Sequence, residues 1–217
     1  MSVKALRERV HAMAGKPATP AMLCITGASG AGKTTVLSAL REHIEPRVLP
    51  ALAFDSLGVP SEAEMHAAWD SPRAWQKAMT YHWVHTARHV YRTHPLVVLE
   101  GSFDPQYAIA ATAAHRLRST VVVLHTEDAV RSERLAKRGQ PELATADMCA
   151  WASYLREQAQ QLGGVVVDAT GPIEQVVDAL CVHAVALVDA VAEATASAAG
   201  DPTRGLRMPR TKTKRTN

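Results

Sequence analysis

Residues 22–34 read Met-Leu-Cys-Ile-Thr-Gly-Ala-Ser-Gly-Ala-Gly-Lys-Thr, an apolar run followed by a glycine-rich segment and a Lys-Thr pair. The apolar run is too short for a helix and is bounded by glycine, which is typical of a strand buried on both faces of a parallel sheet. The next ten residues place Val36, Leu37 and Leu40 at helical spacing. The stretch therefore predicts a strand, a tight glycine-rich turn and a helix.

The same alternation of a short apolar run and a helical pattern continues along the chain. The predicted strands are 22–26, 48–54, 96–99, 120–124 and 165–167, and the predicted helices after the first strand are 34–43, 61–70, 72–93, 106–116, 128–138, 146–162 and 172–198. Pro50 removes a ladder donor and indicates either an edge position or an early bulge for its strand. The pattern predicts an α/β fold of three layers, a five-stranded parallel sheet flanked by helices, with ligands at the carboxyl ends of the strands.

Composition and charge divide the 217 residues into a globular body and a basic tail. The hydrophobic fraction of 47% is that of a globular protein. We predict an N-terminal helix and linker over 1–19, a main domain over 20–199 and a disordered tail over 200–217. The net charge of +3 comes from that tail, because the remainder of the chain is slightly acidic. Bulk charge therefore argues against a nucleic-acid-binding body.

The sequence predicts a cytoplasmic protein. Cys24, Cys149 and Cys181 are odd in number and lack metal-binding spacing, which favours free thiols in a reducing compartment. The N-terminus lacks the apolar run of a secretory signal. The apolar stretch 176–199 is interrupted by charged residues and is predicted to be a helix of a soluble domain.

Residues 27–34 match the phosphate-binding pattern G-x-x-x-x-G-K-[ST] directly after a strand and before a helix. Glycines allow successive backbone N–H groups to surround a diphosphate at the positive end of the helix. Lys33 is predicted to reach the β- and γ-phosphates of ATP, and the Thr34 hydroxyl to bind Mg²⁺. The alternative is a glycine-rich turn that binds nothing. The nucleotide-binding residues predicted here are Gly27, Ala28, Ser29, Gly30, Ala31, Gly32, Lys33, Thr34 and Thr35.

Over residues 20–185 the chain resembles the P-loop kinases of small molecules, which include nucleoside monophosphate kinases, shikimate-type kinases and chloramphenicol phosphotransferases. The resemblance rests on the phosphate-binding loop, with weaker motifs beyond it and no single close member. It implies an ATP- and magnesium-dependent phosphotransferase. Independently of this resemblance, the stretch 61–94 is longer than a minimal crossover between strands needs, which predicts a helical flap over the site.

Asp55 follows the second predicted strand, where a carboxylate would face the γ-phosphate. A carboxylate fixed there can accept the proton of an acceptor hydroxyl or order the magnesium shell. The segment Phe54-Asp55-Ser56-Leu57 resembles that of the chloramphenicol phosphotransferases and implies a catalytic base. The alternative for Asp55 is a turn cap.

Glu100 ends an apolar strand in the manner of a Walker B acid, which usually acts on magnesium through water. Because aspartate is the commoner residue there, three roles stay open for Glu100: ordering the metal, binding the acceptor or acting as the base. Asp104 is a further candidate, with the N-cap of the helix begun by Pro105 as its alternative.

Arg134 and Arg138 share a face of one predicted helix. They resemble the lid arginines of small-molecule kinases, which implies a short arginine lid over 131–145 that neutralises the transferring phosphoryl group. Arg131 is out of step with the pair, and the alternative for the set is a solvated face paired with glutamates. Thr170 lies in a segment, 168–171, that resembles the part of these kinases that passes the adenine.

The helix 72–93 carries His82, His85 and His89 at positions i, i+3 and i+7. A metal site is one interpretation, although no carboxylate or thiol joins them in the sequence, and bordering the apolar stripe or contacting the acceptor is the other. The flap also concentrates aromatic residues that serve either the core or a stacking wall for a ring-bearing acceptor: Trp69, Trp75, Tyr81 and Trp83.

The function predicted from the sequence is transfer of the γ-phosphoryl group of ATP to a hydroxyl or phosphate of a small molecule. Two other classes stay open. One is a nucleotide-binding switch or ATPase that acts with a protein partner, and the other is a nucleic-acid 5′-hydroxyl kinase whose basic tail collects the substrate. The sequence predicts neither the acceptor nor the oligomeric state.

Overall fold

The computed structural model describes residues 2–16 and 19–199, so the predicted basic tail, 200–217, lies outside the described residues. The elements in chain order are α1 (Val3–Met13), β1 (Ala21–Thr26), α2 (Lys33–Arg41), β2 (Ala51–Ala53), α3 (Glu62–Trp69), α4 (Pro72–Val90), β3 (Leu96–Gly101), α5 (Pro105–Ala114), β4 (Ser119–His125), α6 (Asp128–Lys137), α7 (Ala146–Gln161), β5 (Val165–Asp168) and α8 (Ile173–Ala199). Short 3₁₀ turns cover Phe54–Leu57 and Pro141–Leu143.

The five strands form one parallel sheet in the order β2-β3-β1-β4-β5. The three-layer α/β fold class is therefore confirmed, and β2 lies at the edge of the sheet, one of the two alternatives that Pro50 indicated. Ile25 of β1 is in register with Glu100 of β3, so the loop after β1 and the carboxylate at the end of β3 meet at the same edge.

The alternation of side chains along β1 explains the two main layers of core. Leu23 and Ile25 point into a cluster with α1, α2 and α8, whereas Met22 and Cys24 point into a cluster with α4 and α5. Since successive strand residues face opposite ways, an uninterrupted apolar strand is what a sheet covered on both faces requires.

The predicted flap belongs partly to this core. Trp75 and Trp83 of α4 are buried, and the Trp83 indole Nε1 donates a hydrogen bond to the carbonyl oxygen of Phe54 at 3.1 Å. Of the two interpretations of these aromatic residues, core packing is the one that the structure assigns to Trp75 and Trp83. The helix consequently fixes the turn that carries Asp55.

Among the described residues one helix, α8, is long and apolar enough to span a membrane by length and composition. Half of its apolar window is buried in the protein, where Leu180, Ala184 and Val188 pack into the core beside α1. The burial supports the prediction of a helix that belongs to the globular core. It also makes α1 part of the same core, because Leu6 and Val10 of α1 are buried in that cluster.

Candidate active site

The glycine-rich loop between β1 and α2 is tightly packed from below. Gly30 and Gly32 have φ angles of +84° and +96°, which glycine adopts without the steric cost of a Cβ. A Cβ on Gly30 would also lie 2.8 Å from Cγ of Arg131, and one on Gly27 would lie 2.6 Å from the carbonyl oxygen of Leu124. The glycines are therefore required both by the turn and by the elements beneath it.

Lys33, the first residue of α2, extends along this loop. Its Nζ donates hydrogen bonds to the carbonyl oxygens of Gly27 at 2.8 Å and Ala28 at 3.1 Å. Burial lowers the pKa of Lys33 to about 8, against the opposing effects of the Glu100 and Asp55 carboxylates. When phosphate oxygens enter the loop, this ammonium group can donate charge-assisted hydrogen bonds to them.

Thr34 and Glu100 approach each other across the end of the sheet. The Thr34 hydroxyl donates to Oε1 of Glu100 at 3.4 Å, and burial raises the pKa of Glu100, while Lys33 and the Thr34 hydrogen bond lower it. Hydroxyl and carboxylate oxygens at one point are ligands that suit Mg²⁺. A buried carboxylate whose charge is costly without a partner also fits a cation. The residues present therefore fit a magnesium ion.

Asp55 lies on the 3₁₀ turn Phe54–Leu57 that follows β2. The Asp55 side chain does not cap this turn. At the start of the turn, the carbonyl oxygen of Ala53 accepts a hydrogen bond from the Ser56 hydroxyl at 2.7 Å. Partial burial raises the pKa of the Asp55 carboxyl, and the charge of Lys33 lowers it. The geometry leaves the Asp55 carboxylate open to a ligand.

One cavity of about 450 Å³ connects these groups. Its lining comes from the glycine-rich loop, the turn after β2, the end of β3 and the end of α6. These residues are Ser29, Gly30, Gly32, Lys33, Thr34, Thr35, Ala53, Phe54, Asp55, Ser56, Glu100, Gly101, Ser102 and Arg138. Four of the five predicted catalytic residues thus meet in one cavity, namely Lys33, Asp55, Glu100 and Arg138.

The fifth, Arg134, lines a second cavity of about 300 Å³ on the other side of the loop. Its guanidinium donates hydrogen bonds to the carbonyl oxygens of Ala169 at 2.9 Å and Thr170 at 3.3 Å. Ala169 and Gly171 line this cavity on either side of Thr170, the residue predicted beside the adenine. Arg138 lines both cavities, so the arginine pair divides its contacts between the two sides of the loop.

Arg131 is separate from this pair and is fully buried beneath the glycine-rich loop. Its guanidinium donates to Oδ1 of Asp128 at 2.8 Å, to Sγ of Cys149 at 3.0 Å and to the carbonyl oxygen of Ser29 at 3.5 Å. The alternative of a solvated arginine face is therefore wrong for Arg131. Arg131 supports the loop from inside the protein.

Two polar residues follow the end of β3, and of these the sequence singled out Asp104 but not Ser102. Ser102 lines the larger cavity, and its hydroxyl accepts a hydrogen bond from Nε1 of Trp151 at 3.0 Å. Asp104 is the N-cap of α5, where its carboxylate accepts from the amide of Gln106 at 2.9 Å and from the Tyr154 hydroxyl at 2.7 Å. The N-cap alternative is thus the one seen for Asp104. The sequence offered no signal for the contacts from α7, which depend on tertiary packing.

Replacing Gly101 by alanine is expected to destabilise the protein and displace the turn after β2. A Cβ at this position would overlap Cβ of Phe54 and lie 3.1 Å from its Cγ. Phe54 has little freedom to move, because its ring packs edge-on against Trp75 with centroids 5.7 Å apart. We expect the free energy of unfolding, measured by urea denaturation, to fall by about 1–3 kcal/mol.

The matched control for this variant is Gly171→Ala. Its Cβ would meet no described atom closer than the side-chain oxygen of Gln175 at 3.7 Å, an ordinary contact. Equal stability of the two variants would contradict the account of Gly101 as a position where the backbone and Phe54 are in direct contact.

The glycine-rich loop, the lysine and threonine at the start of α2 and the acidic end of β3 define a P-loop nucleotide-binding domain. A model of the AAA domain family matches residues 23–150, more than half of the chain, and the protein belongs to this family. No curated protein shows significant sequence similarity to the chain.

Solved structures of other proteins share the fold. A gluconokinase from Sinorhizobium meliloti 1021 is 20% identical, with a TM-score of 0.53 over 83% of this chain and 98% of that chain. The tunicamycin resistance protein of Deinococcus radiodurans is 18% identical, with a TM-score of 0.53 over 76% of this chain and 95% of that chain. The resemblance to P-loop kinases predicted from the sequence is therefore confirmed at the level of the fold.

Proposed function

We propose that the protein is an ATP- and magnesium-dependent phosphotransferase that transfers the γ-phosphoryl group to a hydroxyl or phosphate of a small molecule. The observation that carries this proposal is the convergence of Lys33, Thr34, Asp55 and Glu100 on one cavity of about 450 Å³. Such a cavity offers a phosphate-binding loop, a metal-binding pair and a separate carboxylate. A simple nucleotide-binding turn requires only the first.

The glycine-rich loop and Lys33 would bind the donor. Backbone N–H groups of the loop surround the β-phosphate, and Lys33 exchanges its two carbonyl partners for phosphate oxygens. Thr34 and Glu100 would hold magnesium, which, when bound, neutralises charge on the β- and γ-phosphates. The base and ribose extend into the 300 Å³ cavity lined by Arg134, Ala169 and Gly171.

Asp55 would act on the acceptor. As the acceptor oxygen forms its bond to the γ-phosphorus, the bond from that phosphorus to the bridging oxygen of ADP breaks and ADP leaves with the electron pair. The hydroxyl proton passes to the Asp55 carboxylate. Burial, which raises the pKa of this carboxyl, makes it a better proton acceptor than a fully solvated aspartate. Where the acceptor is a phosphate, its attacking oxygen carries no proton that must be removed, and Asp55 would not act as a base.

The acceptor would enter from the side of the cavity formed by Asp55, Ser56 and Ser102. Polar oxygen atoms predominate there, and such a wall matches hydroxyl groups, which donate hydrogen bonds to it. The side chain of Gln76 from α4 donates to the carbonyl oxygen of Ser102 at 3.2 Å and so joins the predicted flap to this wall. We propose that residues 20–199 form the catalytic domain, with 61–94 as the flap on the acceptor side and 131–145 as the lid. We also propose that the protein is cytoplasmic.

The two predicted lid arginines are expected to give different defects when each is replaced by alanine. Arg138 lines the phosphate cavity as well as the smaller one, so its loss should slow transfer by about 10²-fold in addition to any change in ATP affinity. Arg134 hydrogen-bonds the loop after β5, so its loss should mainly weaken ATP binding. Steady-state kinetics together with calorimetric titration of a non-hydrolysable ATP analogue measures both effects. Indistinguishable defects would contradict the division between the two cavities.

The proposed function is tested by incubating the full chain with ATP, Mg²⁺ and a panel of sugars, nucleosides, nucleoside monophosphates and antibiotics. We expect one class of acceptor to gain a phosphoryl group, detected as a mass increase, only when Mg²⁺ is present. Phosphorylation of oligonucleotide 5′-hydroxyls alone would favour the nucleic-acid kinase. ATP hydrolysis that depends on an added protein, with no phosphorylated acceptor, would favour the switch.

A further inference from the structure

Three imidazoles from two helices meet on a surface away from the proposed active site. His85 and His89 are one helical turn apart near the end of α4, and His115 is the C-cap of α5. Each histidine offers one ring nitrogen as a ligand, and these three nitrogens lie within 4.8 Å of one another. The sequence singled out His82 with His85 and His89, but His82 packs against Trp83, with ring centroids 5.2 Å apart.

The packing of α4 against α5 creates this arrangement. The rings of His85 and His89 have centroids 4.3 Å apart, and that of His115 lies 5.5 Å from His85 and 6.4 Å from His89. Ligand nitrogens at about 2.0–2.1 Å from one zinc ion are roughly 3.4 Å apart in a tetrahedron. Rotations of the exposed side chains of His85 and His89 therefore suffice to close the set around an ion.

The ligand chemistry of three imidazoles fits a divalent metal ion. A metal ligand must be a neutral imidazole. Three nitrogen ligands suit the borderline divalent ions, of which zinc accepts a tetrahedral arrangement with water at the fourth position.

We propose that His85, His89 and His115 form a binding site for one Zn²⁺ ion that joins α4 to α5. The site is independent of the proposed active site. α5 begins at the end of β3, beside Ser102 and Asp104, and its ten residues carry the chain about 15 Å before His115. The zinc site thus lies at the opposite end of α5 from the phosphate cavity, and its ligands are none of the residues that line that cavity.

Occupation of this site would restrain the flap. α4 supplies both Trp83, which hydrogen-bonds the turn carrying Asp55, and Gln76, which contacts Ser102. An ion that fixes the far end of α4 to α5 reduces the freedom of these two helices to separate. Its effect is expected in the stability of the protein, because an ion that binds the native state favours it over the unfolded state.

The test is equilibrium dialysis of the chelator-treated full chain against Zn²⁺, without nucleotide or Mg²⁺. We expect one ion per chain in the wild type. His85→Gln and His115→Gln should each weaken binding at least about tenfold, since loss of even an indirect partner of a zinc ligand typically costs that much. The thermal midpoint should rise with Zn²⁺ in the wild type and not in these variants.

His82→Gln is the matched control, because this exposed residue shares α4 with two of the ligands. It should bind Zn²⁺ as the wild type does and show the same rise in thermal midpoint. Circular dichroism without metal verifies that the exposed His85→Gln variant is folded. Wild-type affinity in His85→Gln and His115→Gln, an equal loss in His82→Gln, or no Zn²⁺ bound by the wild type would each overturn the proposal.

Discussion

Replacing Lys33 by alanine is expected to weaken ATP binding by about 10- to 150-fold and to remove measurable phosphoryl transfer. The range corresponds to the loss of one charged hydrogen-bonding group facing phosphate. The Lys33 ammonium donates its hydrogen bonds to two carbonyl oxygens of its own loop, which links no distant elements, so the fold should survive its loss. Calorimetric titration of an ATP analogue and thermal unfolding measure the two effects separately.

Lys137→Ala is the matched control. This exposed lysine on α6 pairs with Glu133 at 2.6 Å, and its loss should leave ATP binding unchanged. The pKa of about 8 for Lys33 adds a second expectation. In the wild type, ATP affinity should fall as the pH rises above about 8, because Lys33 loses its proton, and the Lys33→Ala variant should lack this decrease. Unchanged affinity in Lys33→Ala would remove the basis for the nucleotide site.

Replacing Asp55 by asparagine is expected to lower transfer to a hydroxyl acceptor by about 10²–10⁴-fold while ATP still binds. Asparagine keeps the size and hydrogen-bonding capacity of the side chain but cannot accept the proton. The Asp55 carboxylate favours the charged form of Lys33. The substitution therefore affects the positive charge of the phosphate site only indirectly, through the pKa of Lys33. The rate of a single turnover with saturating ATP isolates the chemical step.

Asp70→Asn provides the matched control for charge and size. Asp70 is exposed at the end of α3 with φ of +68°, a conformation that asparagine also tolerates. Its replacement should leave transfer unchanged. A normal single-turnover rate in Asp55→Asn would instead assign the proton transfer to Glu100 or show that none is needed, and Glu100→Gln would then carry the larger defect.

The sequence predicted the parts of the fold that local pattern determines. The apolar run before the glycine-rich loop specified β1, and the acid that ends a second apolar run indicated a Walker B residue, Glu100, which the structure brings to Thr34. The edge position of β2 was one of the two alternatives that the missing amide of Pro50 indicated. These features depend on residues close in sequence and on general rules of parallel sheets.

Features that arise from packing between distant elements could not be predicted from local sequence patterns. The spacing separated Arg131 from Arg134 and Arg138 but did not show that it is buried, which follows from its position on α6 facing the loop at Gly30. His115 carries no signal in its own surroundings and joins His85 only because α4 packs on α5. Helical spacing specifies which residues share a face, but the neighbour of that face is decided by the tertiary structure.

The different contacts of Arg134 and Arg138 also arise from tertiary packing. A spacing of four residues placed Arg134 and Arg138 on one face and left open what that face meets. In the structure Arg134 reaches the loop after β5, whereas Arg138 also lies over the cavity of Lys33 and Asp55. The split follows from the position of α6 between the two cavities, which no pattern within α6 encodes.

The most direct test of the phosphotransferase account is the fate of the γ-phosphate. With ATP labelled at that position, Mg²⁺ and the acceptor identified from the panel, the fraction of label recovered on acceptor is compared with the fraction recovered as inorganic phosphate. The account predicts that most of the label is on the acceptor in the wild type, and that Asp55→Asn loses this transfer while still binding ATP. Label recovered only as inorganic phosphate, at the same rate with and without every acceptor, would contradict it.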